Sequence, residues 1–300
     1  MAIAPQFDVI GLGELLWDCF PDGRKPGGAP ANVAFHAQQL GLSARVATRV
    51  GNDSLGDELC GFLSHQGLHT DLVQRDSHHG TGTVTVDPQS DGSTRYAFLE
   101  NSAWDFLEPD DRWLAAMSEA RAVCFGTLAQ RGETSRATIQ RCLQATAAEC
   151  LRVYDVNLRP PFFDKEWIVA SLKLARIVKL NDDEVRTLAS MLGSPYLAET
   201  SLATWLRQTF RLDVVCITRG SRGAVAVSAD EICDVPGLAV TVADTVGAGD
   251  AFTAGLIWSR LHGHPLIAGL ALANRIGALV ASRPGAMPDL RTEFAALLRG

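Results

Sequence analysis

Asp244-Thr245-Val246-Gly247-Ala248-Gly249-Asp250-Ala251-Phe252 decides how the rest of the chain is read. The apolar run Leu238 to Val242 leads into it with the spacing of a strand end, and Ala251 to Leu261 leads out with apolar residues at helical spacing. Between them lies a turn of small residues with an acid at each end. Gly247, Ala248 and Gly249 allow the backbone to approach a ligand closely and to aim successive N–H groups at it. The helix start just beyond adds the positive end of its dipole. The result is an anion cradle. A carboxylate at Asp250 would repel a resting phosphate, but it suits a base that takes a proton from a hydroxyl attacking phosphorus. An ordinary Gly-rich turn is the plain alternative, and the two acids with the flanking strand and helix weigh against it.

Working outward, strands and helices alternate. Phe7 to Leu12 reads as a strand, Pro30 to Leu40 as a helix stopped by Gly41, Ala44 to Val50 as a strand, and Ser54 to Ser64 as a helix closed by Gly67. The rhythm continues with strands at Ala122–Phe125, Val153–Val156, Ile177–Leu180 and Val214–Thr218, and helices at Thr134–Glu149, Trp167–Ala175 and Asp182–Leu192. Such alternation predicts an α/β fold, a doubly wound, mostly parallel sheet flanked by helices. Length alone suggests two domains. No linker or composition shift divides the chain, so a single domain over 1–300 is expected. One region breaks the rhythm. Gly82–Val86 and Thr94–Phe98 flank the turn-rich Asp87–Ser93 and predict a hairpin. Trp17 to Gly28 reads as irregular and rich in Gly and Pro. Together, about 14–28 and 81–100 are expected to form a small, discontinuous β lid.

Composition narrows the function. The 300 residues are 47% apolar and 20% charged, with net charge −7 and no basic run, so neither nucleic acid nor an acidic membrane surface is an expected partner. Met1 to Gln6 lacks the features of a signal peptide, and no apolar stretch reaches membrane-span length. Seven Cys with no C-x-x-C read as buried reduced thiols. A cytoplasmic protein is expected. His78-His79 reads as a pair in a solvated loop, with a metal site as the alternative.

Ligands of doubly wound sheets sit at the carboxyl ends of the strands. Several polar patterns are expected at that edge: Gly27-Gly28-Ala29-Pro30-Ala31-Asn32, Asp155-Val156-Asn157-Leu158-Arg159, Lys179-Leu180-Asn181-Asp182-Asp183-Glu184 and Thr218-Arg219-Gly220-Ser221-Arg222-Gly223. Each has a bland reading. Asn32 fits a first-turn polar residue, 181–184 fits an Asn cap followed by helix-starting acids, and 218–223 fits a hairpin turn. Their joint placement on one edge favours a site.

These segments, in this order and nearly end to end, resemble the ribokinase-like, phosphofructokinase-B family of sugar kinases. Gly13-Glu14-Leu15-Leu16-Trp17-Asp18 and Gly27 to Ala34 are similar to the fructokinases within it, whereas ketodeoxygluconate kinases usually continue differently after the paired glycines. The resemblance implies a ribokinase-like fold and transfer of the ATP γ-phosphate to a sugar, with fructose giving fructose 6-phosphate as the leading reading. It implies Asp250 as general base. Backbone N–H groups of Gly247, Ala248, Gly249 and Asp250 would hold the γ-phosphate. Asp18, Gly28 and Asn32 would bind sugar hydroxyls, and Arg159 a phosphate or sugar. Asn181 and Glu184 would act through water on Mg2+ and the phosphates, Thr218, Gly220 and Gly223 would line the nucleotide groove, and Asn274 would lie near adenine. A K+ site is implied at Asp244, Val246, Val280, Arg283 and Gly285, mainly through backbone carbonyls. Asp289 stands where the family often has a small hydroxyl residue, which leaves the last ligand of that site unassigned. Asp244 also fits a plain turn-capping acid. Trp104-Asp105, just past the second lid strand, is a candidate sugar contact. A homodimer through the lid is expected. The alternatives are 2-keto-3-deoxygluconate kinase or another sugar or nucleoside kinase of the family, a non-catalytic sugar-binding regulator, and a dinucleotide-binding oxidoreductase. The last is weakened by the incomplete glycine pattern at Gly11-Leu12-Gly13.

Overall fold

The computed structural model describes residues 7–88 and 94–299. Its first half runs β1 (Phe7–Leu12), β2 (Leu16–Phe20), β3 (Gly23–Gly27), α1 (Ala29–Gln39), β4 (Ala44–Gly51), α2 (Ser54–His65), β5 (Val73–Asp76), β6 (Gly82–Pro88), β7 (Thr94–Phe98), α3 (Asp111–Glu119) and β8 (Ala120–Gly126). There follow α4 (Glu133–Gln144), β9 (Leu151–Asp155), α5 (Lys165–Leu174), β10 (Ile177–Asn181), α6 (Asp182–Leu192), α7 (Glu199–Phe210), β11 (Val214–Thr218), β12 (Ala224–Val227), β13 (Ile232–Val235), α8 (Ala248–Leu261), α9 (Leu266–Ala281) and α10 (Arg291–Leu297).

The main sheet has nine strands in the order β13-β12-β11-β10-β9-β8-β1-β4-β5. Every pairing from β11 to β5 is parallel, and only β11–β12 and β12–β13 are antiparallel. Strand residues alternate between two apolar clusters, as period-two geometry demands. Ile10, Phe125, Val178, Leu180 and Ile217 pack with α3 to α7 on one face. Val9, Cys124, Val153, Ile177 and Cys216 pack with α1, α2, α8, α9 and α10 on the other. The same alternation turns Asp155 and Lys179 towards the α8 face. Both faces are covered, so the sheet is doubly wound. No helix among the described residues is long and apolar enough to cross a membrane. All seven cysteines are free, five buried and Cys19 and Cys60 half-buried.

A second sheet has the order β3-β2-β6-β7. Its hairpin partners β6 and β7 match the strands expected from the sequence, while Gln89–Ser93 of the expected turn lie outside the described residues. Leu16, Val84 and Val86 form its own small apolar cluster.

Four local expectations are corrected. Trp17 to Gly28 is not irregular: β2 and β3 pair antiparallel across a Pro21–Asp22 turn. Pro26 is tolerated because β3 is an edge strand, where a missing N–H breaks no ladder. Leu238–Val242 is not a strand. Pro236 and Gly237 end β13, and Leu238, Val240 and Val242 lie exposed. The segment rejoins the fold only where Ala243 and Asp244 N–H groups donate to Ala281 O at 2.9 and 3.2 Å. α4 stops at Gln144 rather than Glu149, because Thr146 Oγ1 donates back to Leu143 O (2.8 Å) and the Ala147–Cys150 turn feeds β9. α8 begins at Ala248, so Ala248, Gly249 and Asp250 belong to its first turn rather than to the loop before it.

Candidate active site

The loop before α8 is held by Asp244. Its Oδ1 accepts from Val246 N (3.0 Å) and its Oδ2 from Gly285 N (2.9 Å). Lys25 of β3 lies 3.8 Å from the same Oδ2. Asp244 is thus a turn-capping acid that also staples two loops together. Gly247 caps α8 with φ at +78°, and a Cβ there would lie 2.6 Å from Ala286 O. Only glycine meets both demands. The first-turn N–H groups of Ala248, Gly249 and Asp250 have no carbonyl a turn below them, so they face outward as donors. The one contact within the turn is long, from Ala248 N to Thr245 O (3.3 Å).

Asp250 is half-buried, and its Oδ2 accepts from Asn32 Nδ2 at 2.7 Å. Burial raises its pKa to about 6, and the nearby Asp155 carboxylate pushes the same way; Lys179, the Asn32 hydrogen bond and Arg159 oppose. Beneath the turn, Lys179 Nζ donates to both Asp155 oxygens, at 3.1 and 3.2 Å. Thr253 Oγ1 of α8 adds a third contact to Asp155 Oδ2 at 3.0 Å. Both charges are nearly fully buried. Burial depresses the Lys179 pKa, but Asp155, Glu184 and Asp250 outweigh it and hold it at about 12. A Cβ on Gly249 would sit 3.1 Å from Lys179 Nζ, so the ammonium lies directly under the cradle.

Two further carboxyls face the same space. Asp18 of β2 is raised to about 6 by burial, with Arg159 and Lys25 pulling down and Asp250 and Asp244 pushing up. Glu14 is raised to about 7 by burial; its Oε1 accepts from Ala29 N at 3.2 Å and its Oε2 is buried without a protein partner. Gly28 has φ at +112°, and a Cβ there would meet Glu14 O at 2.4 Å. The Gly27–Gly28 segment therefore reaches the site from the end of β3 in the small sheet, not from a strand end of the main sheet.

Asp155, Asn181 and Thr218 end adjacent parallel strands, with Asn181 in register with Thr218. Asn181 and Glu184 form a complete capping box: Asn181 Oδ1 accepts from Glu184 N (2.9 Å) and Glu184 Oε2 from Asn181 N (2.8 Å). Glu184 Oε1 also accepts from Leu158 N at 2.6 Å, so both its oxygens are engaged. Gly220 (φ +55°) and Gly223 (φ +90°) shape the β11–β12 turn. A Cβ at Gly223 would lie 2.1 Å from Val235 O, and Asn274 Nδ2 donates to Val235 O and Pro236 O at 3.5 and 3.4 Å. Gly223 and Asn274 thus flank one backbone segment. Arg159 is exposed beyond β9.

Asp244, Val246 and Gly285 come together through the Asp244 carboxylate, and Arg283 N donates to Val280 O (2.9 Å) in the turn that ends α9. Asp289 is instead engaged by Arg291. Trp104 belongs to the apolar cluster that packs with α3 to α7. It is buried, with the Arg131 guanidinium 4.1 Å above its ring, and Asp105 is bound by Arg131 at 2.7 Å. His79 stacks on Phe106 at 3.6 Å and contacts Asp76 Oδ2 at 3.0 Å.

Sequence reasoning gave Lys179, Glu14 and Thr253 no role. The signal for Lys179 was present: a lone cation between Val178 and Leu180 in a strand covered on both faces needs a buried partner.

Comparison with known proteins identifies the family. A family model described as pfkB family carbohydrate kinase matches residues 12–293. The fructokinase of Klebsiella pneumoniae is 32% identical over 297 residues, covering 93% of this chain and 94% of that one. A Vibrio cholerae fructokinase structure with fructose, ADP and calcium ion bound has a TM-score of 0.83 at 25% identity, covering 98% and 99% of the two chains. The 2-dehydro-3-deoxygluconokinase of Thermotoga maritima has a TM-score of 0.83 at 22% identity, covering 98% and 100%, a likeness of fold alone. The chain belongs to the pfkB family of carbohydrate kinases.

Proposed function

We propose that the protein is an ATP-dependent fructokinase that makes fructose 6-phosphate. The observation that carries this reading is the Asn32–Asp250 hydrogen bond of 2.7 Å, which joins the helix after Gly27-Gly28 to the first turn of α8. A sugar bound by Asp18, Gly28 and Asn32 would have its reacting hydroxyl beside Asp250. The Asp250 carboxylate takes the hydroxyl proton as the oxygen attacks the γ-phosphorus. Backbone N–H groups of Gly247, Ala248, Gly249 and Asp250 hold the phosphoryl oxygens, and Lys179 adds positive charge from below. Alignment of the two reactants supplies on the order of 7–11 kcal/mol. The base adds ~10²–10⁴-fold. Arg159 reaches the same space from the β9 end, while Thr218, Gly220, Gly223 and Asn274 form the nucleotide side. The small sheet acts as a lid that keeps water from the phosphoryl group. Its exposed Tyr96 suits contact with a second copy.

The residues fit a nucleotide-borne magnesium held through water. Glu184 has both oxygens on backbone donors and Asp155 is engaged by Lys179 and Thr253, so neither offers a free carboxylate oxygen. Magnesium, when bound, screens charge on the phosphate oxygens. For potassium, Asp244 already accepts two N–H groups, which suits a site made mainly of carbonyls at Val246, Val280, Arg283 and Gly285.

A panel of fructose, glucose, 2-keto-3-deoxygluconate, ribose and adenosine, with ATP, magnesium and coupled ADP detection, tests the reading. Fructose should give the highest kcat/KM. Preference for another acceptor reassigns the substrate, and sugar binding without ADP release overturns catalysis.

A further inference from the structure

The chain from Ala286 to Leu290 packs behind the cradle, and two side chains from one turn of α1 hold it. His36 Nε2 lies 2.9 Å from Ala286 O, an acceptor, so this nitrogen carries the proton. His36 Nδ1 is then free to accept, and Gln39 Nε2 lies 3.5 Å from it. The same Gln39 amide donates to Pro288 O at 3.0 Å, while its Oε1 accepts from Leu290 N at 2.6 Å. Three alternate residues, 286, 288 and 290, are therefore bound through their backbone in the manner of a strand. His36 is fully buried and Gln39, Ala286 and Leu290 nearly so. Burial lowers the His36 pKa to about 4, so the neutral tautomer persists through the physiological range.

What this clamp supports is the cradle. Ala286 meets Gly247 closely enough that a Cβ on Gly247 would lie 2.6 Å from Ala286 O and 2.7 Å from Ala286 Cα. The preceding Gly285 N–H is the donor to Asp244 Oδ2. Asn32, one turn before His36 on α1, contacts Asp250. One helix thus touches the proposed base directly and sets the turn behind the phosphoryl donors through residues 285–290. We propose that His36 and Gln39 are positioning residues for the anion cradle, fixing the start of α8 relative to the sugar side of the site. The proposal rests on the kinase reading above.

The test compares His36→Leu, which fills space but cannot donate, with His36→Gln, whose amide nitrogen can occupy the place of Nε2. Wild-type turnover of fructose with ATP is measured first; its absence would refute the kinase reading itself. Given a working kinase, His36→Leu should lower kcat about tenfold or more while changing the sugar KM less than about threefold. His36→Gln should restore kcat to within about threefold of wild type. Amide hydrogen exchange should quicken at 246–250 and 285–290 in the Leu variant and remain unchanged in β8. Equal activity of both variants, whether native or impaired, overturns the proposal, as does exchange that rises evenly across the chain. Should His36→Leu fail to fold, Gln39→Met provides the same kinetic and exchange comparison, and native values for it count equally against the clamp.

Discussion

Asn32 Nδ2 and Asp250 Oδ2 lie 2.7 Å apart although 218 positions separate them in the chain. The contact fixes one carboxyl oxygen and leaves the other for a substrate. Asp250→Asn keeps the size and removes the basic oxygen. The variant should fold, bind ATP with near-native affinity, and phosphorylate sugar at least ~10²-fold more slowly. Calorimetric nucleotide binding paired with steady-state turnover checks both halves. Near-native turnover would remove Asp250 from the role of base.

A base must be unprotonated to act, and burial places the Asp250 pKa at about 6. The value of kcat/KM for sugar should be flat above about pH 7 and fall roughly tenfold per unit well below the pKa. Removing the opposing cation by Lys179→Met should move that limb to higher pH, since Lys179 holds the Asp250 pKa down. A profile with no acid limb between pH 5 and about 7 contradicts the assignment.

Glu14 titrates near 7 in the folded chain against an ordinary 4.5, because burial disfavours its charge. Folding therefore favours the protonated acid. This contribution is complete below the unfolded pKa and is lost as pH rises through about 7. Glu14→Gln keeps the acceptor for Ala29 N–H and cannot ionise. Its stability relative to wild type should rise by about 3 kcal/mol between pH 4 and pH 8. Urea unfolding at several pH values reads the slope; a pH-independent difference would show that Glu14 ionises freely.

Lys179 and Asp155 are worth more together than apart. Lys179→Met leaves Asp155 buried with only the Thr253 hydroxyl, and should cost about 3–5 kcal/mol. Adding Asp155→Asn removes the stranded charge and should recover most of the loss. The full cycle, measured by denaturant unfolding, should give a coupling well outside error. Additive single effects would mean that water reaches the pair.

The sheet was legible because apolar runs at β1, β8, β9, β10 and β11 alternate with helical periodicity, and burial on both faces demands that pattern. The glycine turn that starts α8 was legible because few residues other than glycine meet the positive φ and close approach found at Gly247. Leu238–Val242 misled for a physical reason: its alternating apolar residues satisfy the strand pattern, yet Pro236-Gly237 ends β13 and leaves them in an exposed segment that pairs with no strand. The Lys179–Asp155 pair, the Glu14 carboxyl and the His36 clamp depend on contacts between distant segments, which no local pattern specifies.

Gly247 carries the last prediction, because two independent requirements meet there. Its φ of +78° lies where a side chain costs about 1–2 kcal/mol. The added Cβ would also fall 2.6 Å from Ala286 O, a backbone atom held in place by His36. Neither can relax without shifting the N–H groups of the first turn of α8. Gly247→Ala should therefore weaken nucleotide binding and turnover by about tenfold or more while changing the sugar Kd less, because Asp18 and Gly28 belong to the small sheet and the loop after it rather than to that turn. Gly41→Ala is the control: it too has positive φ, at +86°, but nothing lies within 4 Å of its added Cβ. It should lose comparable backbone stability and no nucleotide affinity. Equal loss of nucleotide affinity in both variants would show that backbone strain alone, and not the approach to Ala286, shapes the cradle.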